Sequence, residues 1–161
     1  MADIVQCGAV VQNDVFGTNG KDIVAKLLEG EATRDISLMA ALLADDFVYE
    51  TPFALPGAPA RVEGKAAFTD MLEQFIGKNH GIYITWAIYN VRIYSGGEPG
   101  LFFAEMDALG VVAQNGYQYR QSYISLFQVT DGYVSFWREY FNPIPLQEAL
   151  GFLEHSGGDK R

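Results

Sequence analysis

Cysteine, histidine and positive charge are all scarce in this chain of 161 residues: one Cys, two His, and 11 Lys and Arg against 20 Asp and Glu. A lone Cys7 cannot form an intrachain disulfide, and with nothing basic near it in sequence it reads as a structural thiol rather than a nucleophile. Two distant histidines, His80 and His155, do not make a metal site with it. The net charge of −9 would repel a phosphate backbone, and the few cations are scattered rather than striped, so nucleic acid is excluded as a partner. No apolar run approaches the roughly 18 residues of a membrane helix. The N-terminal Met1-Ala2-Asp3-Ile4 lacks the basic-then-apolar pattern of a secretory signal, and together these features favour the cytoplasm. Gly-x-Ser-x-Gly, a Gly-Lys-Ser/Thr phosphate loop and a dinucleotide fingerprint are all missing, so the economical expectation is a reaction without a cofactor.

What is plentiful is apolar and aromatic surface, 49% and 14% of residues, enough for one domain with a real core. Residues 1 to 18 have no sustained period and read as an N-terminal arm of unassigned conformation. The domain spans residues 19 to 153, and 154 to 161, which includes His155, reads as a frayed tail. Asn19 is placed to cap a helix over Lys21 to Glu29, with Ile23, Val24, Leu27 and Leu28 on one face and Gly30 as its stop. Thr33 is placed to cap a second, carrying Ile36, Met39, Ala40 and Leu43. A short strand, Phe47 to Glu50, ends at Thr51-Pro52. Phe53 to Arg61, with Pro52, Pro56 and Pro59 in and before it, reads as a loop. A third helix is predicted from Glu63 to Ile76.

From there the period becomes strand-like: Ile82 to Tyr94, a glycine-rich turn at 96–100, Leu101 to Leu109, Tyr117 to Val129, and Tyr133 to Phe141. Asp131-Gly132 is a hairpin turn. Pro143 and Pro145 close the last strand, and Leu146 to Leu153 can form a short helix. The order predicts an α+β fold in which a curved antiparallel sheet packs on three N-terminal-half helices and leaves a ligand pocket.

The last strand carries the chemistry. Alternation puts Trp137, Glu139 and Phe141 on one face and Phe136, Arg138 and Tyr140 on the other, so Arg138 does not pair with Glu139. A Glu on an apolar strand face loses hydration, which raises its pKa toward the range useful for proton transfer. The alternative is an ion-paired or solvated side chain. Tyr119, Gln121 and Tyr123 share parity with Tyr117 on the neighbouring strand and could bind a carbonyl or carboxylate, or simply pack. Tyr49 and Trp86 are pocket walls or plain core. Phe53 opens the loop that shapes the pocket. Glu105 and Asp107 share a face and are expected to pair with Arg92 or Arg120.

The segments Leu43-Ala44-Asp45-Asp46-Phe47-Val48-Tyr49-Glu50-Thr51-Pro52, Arg61-Val62-Glu63-Gly64-Lys65-Ala66-Ala67-Phe68 and Arg138-Glu139-Tyr140-Phe141-Asn142-Pro143-Ile144 resemble the nuclear-transport-factor-2-like superfamily. The last of these is closest to the phenazine-biosynthesis A/B branch, as are Tyr89-Asn90-Val91-Arg92-Ile93 and Ala104-Glu105-Met106-Asp107. The resemblance implies a cone-shaped fold, a homodimer, and a cavity acid/base at Glu139, with His80 in the neighbourhood of the branch's cavity histidine. The general-base Asp of ketosteroid isomerases falls at Thr51, which cannot play that part. It implies proton-transfer chemistry on a cyclic ketone or aminoketone: isomerisation, cyclisation, dehydration or imine condensation. The competing reading is a non-catalytic module that binds a small hydrophobic ligand or a second chain.

Overall fold

In the computed structural model, residues 3, 4 and 18–151 are described. Cys7 and His155 lie outside them. The elements run β1 (Asp3–Ile4), α1 (Thr18–Thr33), α2 (Ile36–Leu42), β2 (Leu43–Glu50), β3 (Arg61–Glu63), α3 (Lys65–Phe75), β4 (Tyr83–Ser95), β5 (Leu101–Val112), β6 (Gln118–Thr130), β7 (Tyr133–Phe141) and α4 (Pro143–Ala149). This is the expected α+β layering, a curved sheet covered on one side by helices. No helix among the described residues is long and apolar enough to cross a membrane.

The sheet order is β1-β4-β5-β6-β7-β2-β3. Three antiparallel hairpin pairings join β4 through β7. The β6–β7 turn, Asp131-Gly132, has positive φ at both residues (52° and 83°), the geometry that a tight two-residue hairpin needs. One pairing departs from the antiparallel expectation: β2 lies parallel to β7, with Tyr49 beside Trp137 and Glu50 beside Arg138. Arg61–Glu63, expected as loop and helix entry, forms a short strand on the far side of β2. Within the expected arm, the backbone of Asp3–Ile4 pairs with β4.

The helix boundaries differ for identifiable reasons. Gly30 does not stop α1, which continues to Thr33; a Cβ at Gly30 would stand 2.7 Å from the Met39 side chain, so this glycine lets α1 and α2 approach closely. Arg34, with φ of 58°, breaks the helix instead. The second helix is capped by Asp35, whose side chain accepts from the Leu38 amide at 2.9 Å, not by Thr33. Asn19 lies inside α1 rather than before it. Pro143 opens α4 behind an Asn142 cap, the position where a missing N–H costs nothing.

The core lies between the helices and the inner sheet face. Val24, Leu27 and Leu28 of α1, Phe68 of α3, and Phe127 and Trp137 of the sheet are all essentially buried. Bulges at Ile84 and around Asn90 each shift the parity of β4, so Tyr83, Ile88 and Ile93 all turn inward across them. Opposite Trp86, Gly110 leaves room for rings: a Cβ there would meet the Tyr83 ring at 2.8 Å and the Trp86 ring at 3.2 Å.

Candidate functional site

Alternation along β6 and along β7 from Trp137 builds the site, after a register shift near Ser135 that lets Val134 face inward as well. Tyr119, Gln121, Ser125 and Phe127 alternate inward on β6, and Val134, Trp137 and Glu139 are buried on β7. Ser125 faces Glu139 across the ladder, and Phe127 faces Trp137. From the other side of β7, parallel β2 brings Tyr49 against Trp137, ring to ring in an edge-on contact at 5.8 Å, and Phe68 of α3 packs on both.

Glu139 therefore sits in an aromatic enclosure, 8% exposed. The Tyr49 hydroxyl donates to its Oε2 at 2.9 Å, and the Ser125 hydroxyl lies 3.4 Å from its Oε1. Burial pushes its pKa up to about 7; the two hydroxyl donors favour the charged form but only partly offset the lost hydration. Among the described residues no cation pairs with it. Tyr49 is correspondingly held well above the usual phenol range, by burial first and by the Glu139 charge second.

A second carboxyl faces the same interior. Glu31, 7% exposed, lies in the last turn of α1, and burial followed by the Glu139 charge raises its pKa well above the ordinary value. The sequence carried its signal: Val24, Leu27, Leu28 and Glu31 have the i, i+3, i+4, i+7 spacing of an inward stripe. A helix taken to end at Gly30 conceals it. Ser125 was also legible, as the next inward residue after Tyr123 on β6.

Of the other expected site residues, Trp137 and Tyr49 stand in the Glu139 enclosure. Tyr119 and Tyr123 share a hydroxyl–hydroxyl hydrogen bond of 2.7 Å, and burial raises the pKa of both. Trp86 stacks on Tyr83 and Tyr119, half-buried. Gln121 has its amide engaged by the backbone, donating to the Asn142 carbonyl at 2.6 Å and accepting from the Ser122 amide at 3.2 Å. His80 is exposed in the turn after α3 and makes none of the contacts gathered around Glu139. Phe53, 52% exposed, packs on Tyr140 of the opposite sheet face and lines a shallow groove of about 490 Å³ with Ile124, Phe141 and Pro143.

Among the described residues, buried polar atoms without a hydrogen-bond partner include Glu31 Oε2, Thr51 Oγ1, Trp86 Nε1 and Trp137 Nε1. Buried donors and acceptors are nearly always satisfied, so such a group of orphans marks unspent hydrogen-bonding capacity. Thr51 thus reappears, not as a base but as a buried hydroxyl at the end of β2.

The outer face treats carboxylates differently. Glu50 pairs with Arg138 at 2.6 Å and with Arg61 at 2.5 Å. Arg138 also lies over the Phe136 ring. Asp107 accepts from Asn90 and Ser122 and also feels the Arg92 charge, and Glu105, opposite Arg92 on β4, accepts from Tyr94. Among the described residues no group of three or more His, Cys, Asp or Glu side chains is placed to hold a metal ion.

Comparisons with known proteins agree with this fold. The protein YesE of Bacillus subtilis is 33% identical over 118 residues, covering 73% of this chain and 78% of its own. A PhzA/B-like protein of Pseudomonas aeruginosa is 29% identical over 136 residues, 84% of this chain and 93% of its own. A solved Bacillus subtilis structure, provisionally described as an isomerase, superposes with a TM-score of 0.72 at 29% identity, covering 83% of this chain and 93% of that one. Residues 24–139, from the buried face of α1 to the enclosed carboxyl itself, match the SnoaL-like domain, and the chain belongs to that family.

Proposed function

We propose that the protein is a cofactor-independent acid/base catalyst acting on a small cyclic ketone or aminoketone, with Glu139 taking and returning the proton. The observation that carries this reading is the state of Glu139: buried among rings, bonded by hydroxyls rather than by a cation, with a pKa of about 7. A general acid/base works best when its pKa lies near the operating pH. A structural carboxylate would be expected to gain a cation instead, as Glu50 does on the outer face of the neighbouring strand.

The enclosure supplies the remaining parts. Tyr49 orients the carboxyl and donates to its charged form. The unpartnered indole N–H groups of Trp137 and Trp86 and the Thr51 hydroxyl are donors suited to a carbonyl or carboxylate oxygen. Aromatic walls exclude water, which strengthens each of these interactions. Within the reaction class, the PhzA/B-like relative supports imine condensation of two aminoketones, alongside isomerisation, cyclisation and dehydration. His80 and Phe53 have no part in this scheme. The homodimer implied by the resemblance would use the outer face, where Ile124 is 45% exposed beside Phe53 and Tyr140; Ile124→Arg should shift sedimentation toward monomer.

Exchange of α-protons for solvent deuterium, followed by NMR across a panel of cyclic ketones and aminoketones, tests the proposal. Wild type should accelerate exchange of at least one member, and Glu139→Gln should lose about 10²–10⁴-fold. Exchange no faster than buffer across the panel, or full exchange by the variant, would remove the acid/base reading and leave a ligand-binding module.

A further inference from the structure

Glu31 has no role in the scheme above, and its position is costly. It continues the inward stripe of Val24, Leu27 and Leu28, where a leucine would pack without penalty, yet it presents a carboxyl with one oxygen that meets no donor among the described residues. It also lies at the C-terminal end of α1, where the helix dipole disfavours negative charge, and the last turn holds no basic residue. The nearby Arg34 does not relieve it: that guanidinium donates to the backbone carbonyls of Ile76, Gly77, Tyr83 and Ile84. Every local influence keeps Glu31 protonated.

Helix α1 packs against β6 and β7, the strands that carry Ser125 and Glu139. The two carboxyls act on common neighbours. Charge on Glu139 bears on Glu31 directly, and Tyr49 from β2 and Tyr119 from β6 each feel both. The other titratable groups bordering the pair are Tyr123 of β6 and, beside it, Tyr83 of β4, both held in the phenol form by burial. All of these neighbours are neutral, so ionisation of Glu31 is opposed by burial first and by the Glu139 charge second.

We propose that Glu31 is the second proton-transfer residue of this site, paired with Glu139 so that the two buried carboxyls carry one proton between them. The inference rests on the acid/base reading above and gives it a mechanism. Ionised Glu139 removes the α-proton of a ketone; the C–H electron pair becomes the C=C bond of an enol, and the carbonyl π pair takes the proton that Glu31 donates to oxygen. The pair's single proton is conserved, with Glu139 now protonated and Glu31 ionised. Reversal at the same carbon returns both carboxyls to their starting state and exchanges the α-proton, and where the enol is conjugated to a second C=C, protonation at the far end of that dienol yields an isomer, with no oxidant or reductant. Such a pair serves as acid and base in the same step, which one carboxyl cannot.

Two readouts test it. The first is titration of the carboxyl carbons in glutamate-labelled protein by ¹³C NMR. Wild type should keep one buried carboxyl protonated above the step at about pH 7, and Glu139→Gln should move the Glu31 step downward because the like charge is gone. The second is turnover and exchange of the ketone identified in the panel above. Glu31→Gln should lower kcat by about 10²–10⁴ with little change in KM, and Glu31→Asp should restore part of it. A Glu31 step that stays put in Glu139→Gln, or wild-type kcat in Glu31→Gln, overturns the pairing while Glu139 keeps its role. Wild type that exchanges no ketone overturns both.

Discussion

Glu50 and Glu139 lie on neighbouring parallel strands, one residue out of phase, and meet opposite fates. Glu50 faces outward beside Arg138, with Arg61 on its other side, and the hydrogen bond from Arg138 leads in holding its pKa below the ordinary carboxylate range. Glu139, the residue after Arg138, faces inward, and burial carries its pKa the other way. The same carboxyl group becomes half of an ion pair on one side of the sheet and a buried group bonded by hydroxyls on the other. A strand's two-residue period makes that assignment, and a one-residue slip of β7 would exchange the roles of Arg138 and Glu139.

The comparison breaks most readily on activity. Glu139→Gln should lower deuterium exchange into substrate by about 10²–10⁴-fold, whereas Glu50→Gln should leave it near wild type. Equal losses would show that the outer pair matters to the site through β2.

The next effect is on stability as a function of pH. Glu139 titrates near its ordinary 4.5 when unfolded and at about 7 when folded, so the native state binds the extra proton across that interval. Its contribution to stability is fully present below the unfolded pKa and is lost as pH rises through the folded one. Urea unfolding from pH 4.5 to above 7 should show a loss on the order of 3 kcal/mol assignable to this group, and Glu139→Gln should flatten that slope. Glu50 has the opposite sign: its folded pKa is depressed, so its smaller stabilisation is present near neutrality and fades as pH falls through the folded value. A wild-type profile with no decline toward neutral pH would contradict the buried, unpaired state of Glu139.

Removing the Tyr49 hydroxyl gives a finer test. Tyr49→Phe deletes a donor to the charged carboxyl, so the Glu139 pKa should rise further, by about one unit, and the acid limb of the rate profile should shift up with it. Smallest of all is Glu50→Gln, which should cost about 0.5 kcal/mol, shrinking in high salt because this pair is partly solvated.

Much of this fold was legible in local pattern. The alternation through Trp137 and Glu139, the Asp131-Gly132 turn and the β4–β5 hairpin are short-range signals; α3, β4, β6 and β7 lie within a residue or two of their expectations, while β5 runs on to Val112, β2 starts at Leu43, α1 is longer at both ends and α4 opens at Pro143. The parallel β2–β7 pairing was not legible, because no local period reports which distant strand lies alongside. Glu31 was hidden by a glycine whose usual meaning, a helix stop, gave way to a tertiary one, room for Met39. Asn90 shows the same limit: its positive φ of 54° marks a bulge that resets the facing of β4 and turns Val91 toward the core. The candidate site was therefore half visible. The β7 carboxyl followed from alternation, while the donor from β2 and the carboxyl from α1 depended on contacts made across the chain.

That β2–β7 pairing also governs when the site can come into being. Tyr49 and Glu139 are 90 residues apart in sequence, and the strand that carries Glu139 is the last of the sheet to be made. Closing so long a loop is entropically slow compared with zipping the local hairpins β4 through β7. The sheet's middle can thus be organised before β2 joins it, and the Tyr49–Glu139 contact is expected to form only when β2 docks on β7. Trp137, buried at that seam, is the natural fluorophore to time the event: its slowest refolding phase should coincide with recovery of activity rather than with formation of the bulk strand signal.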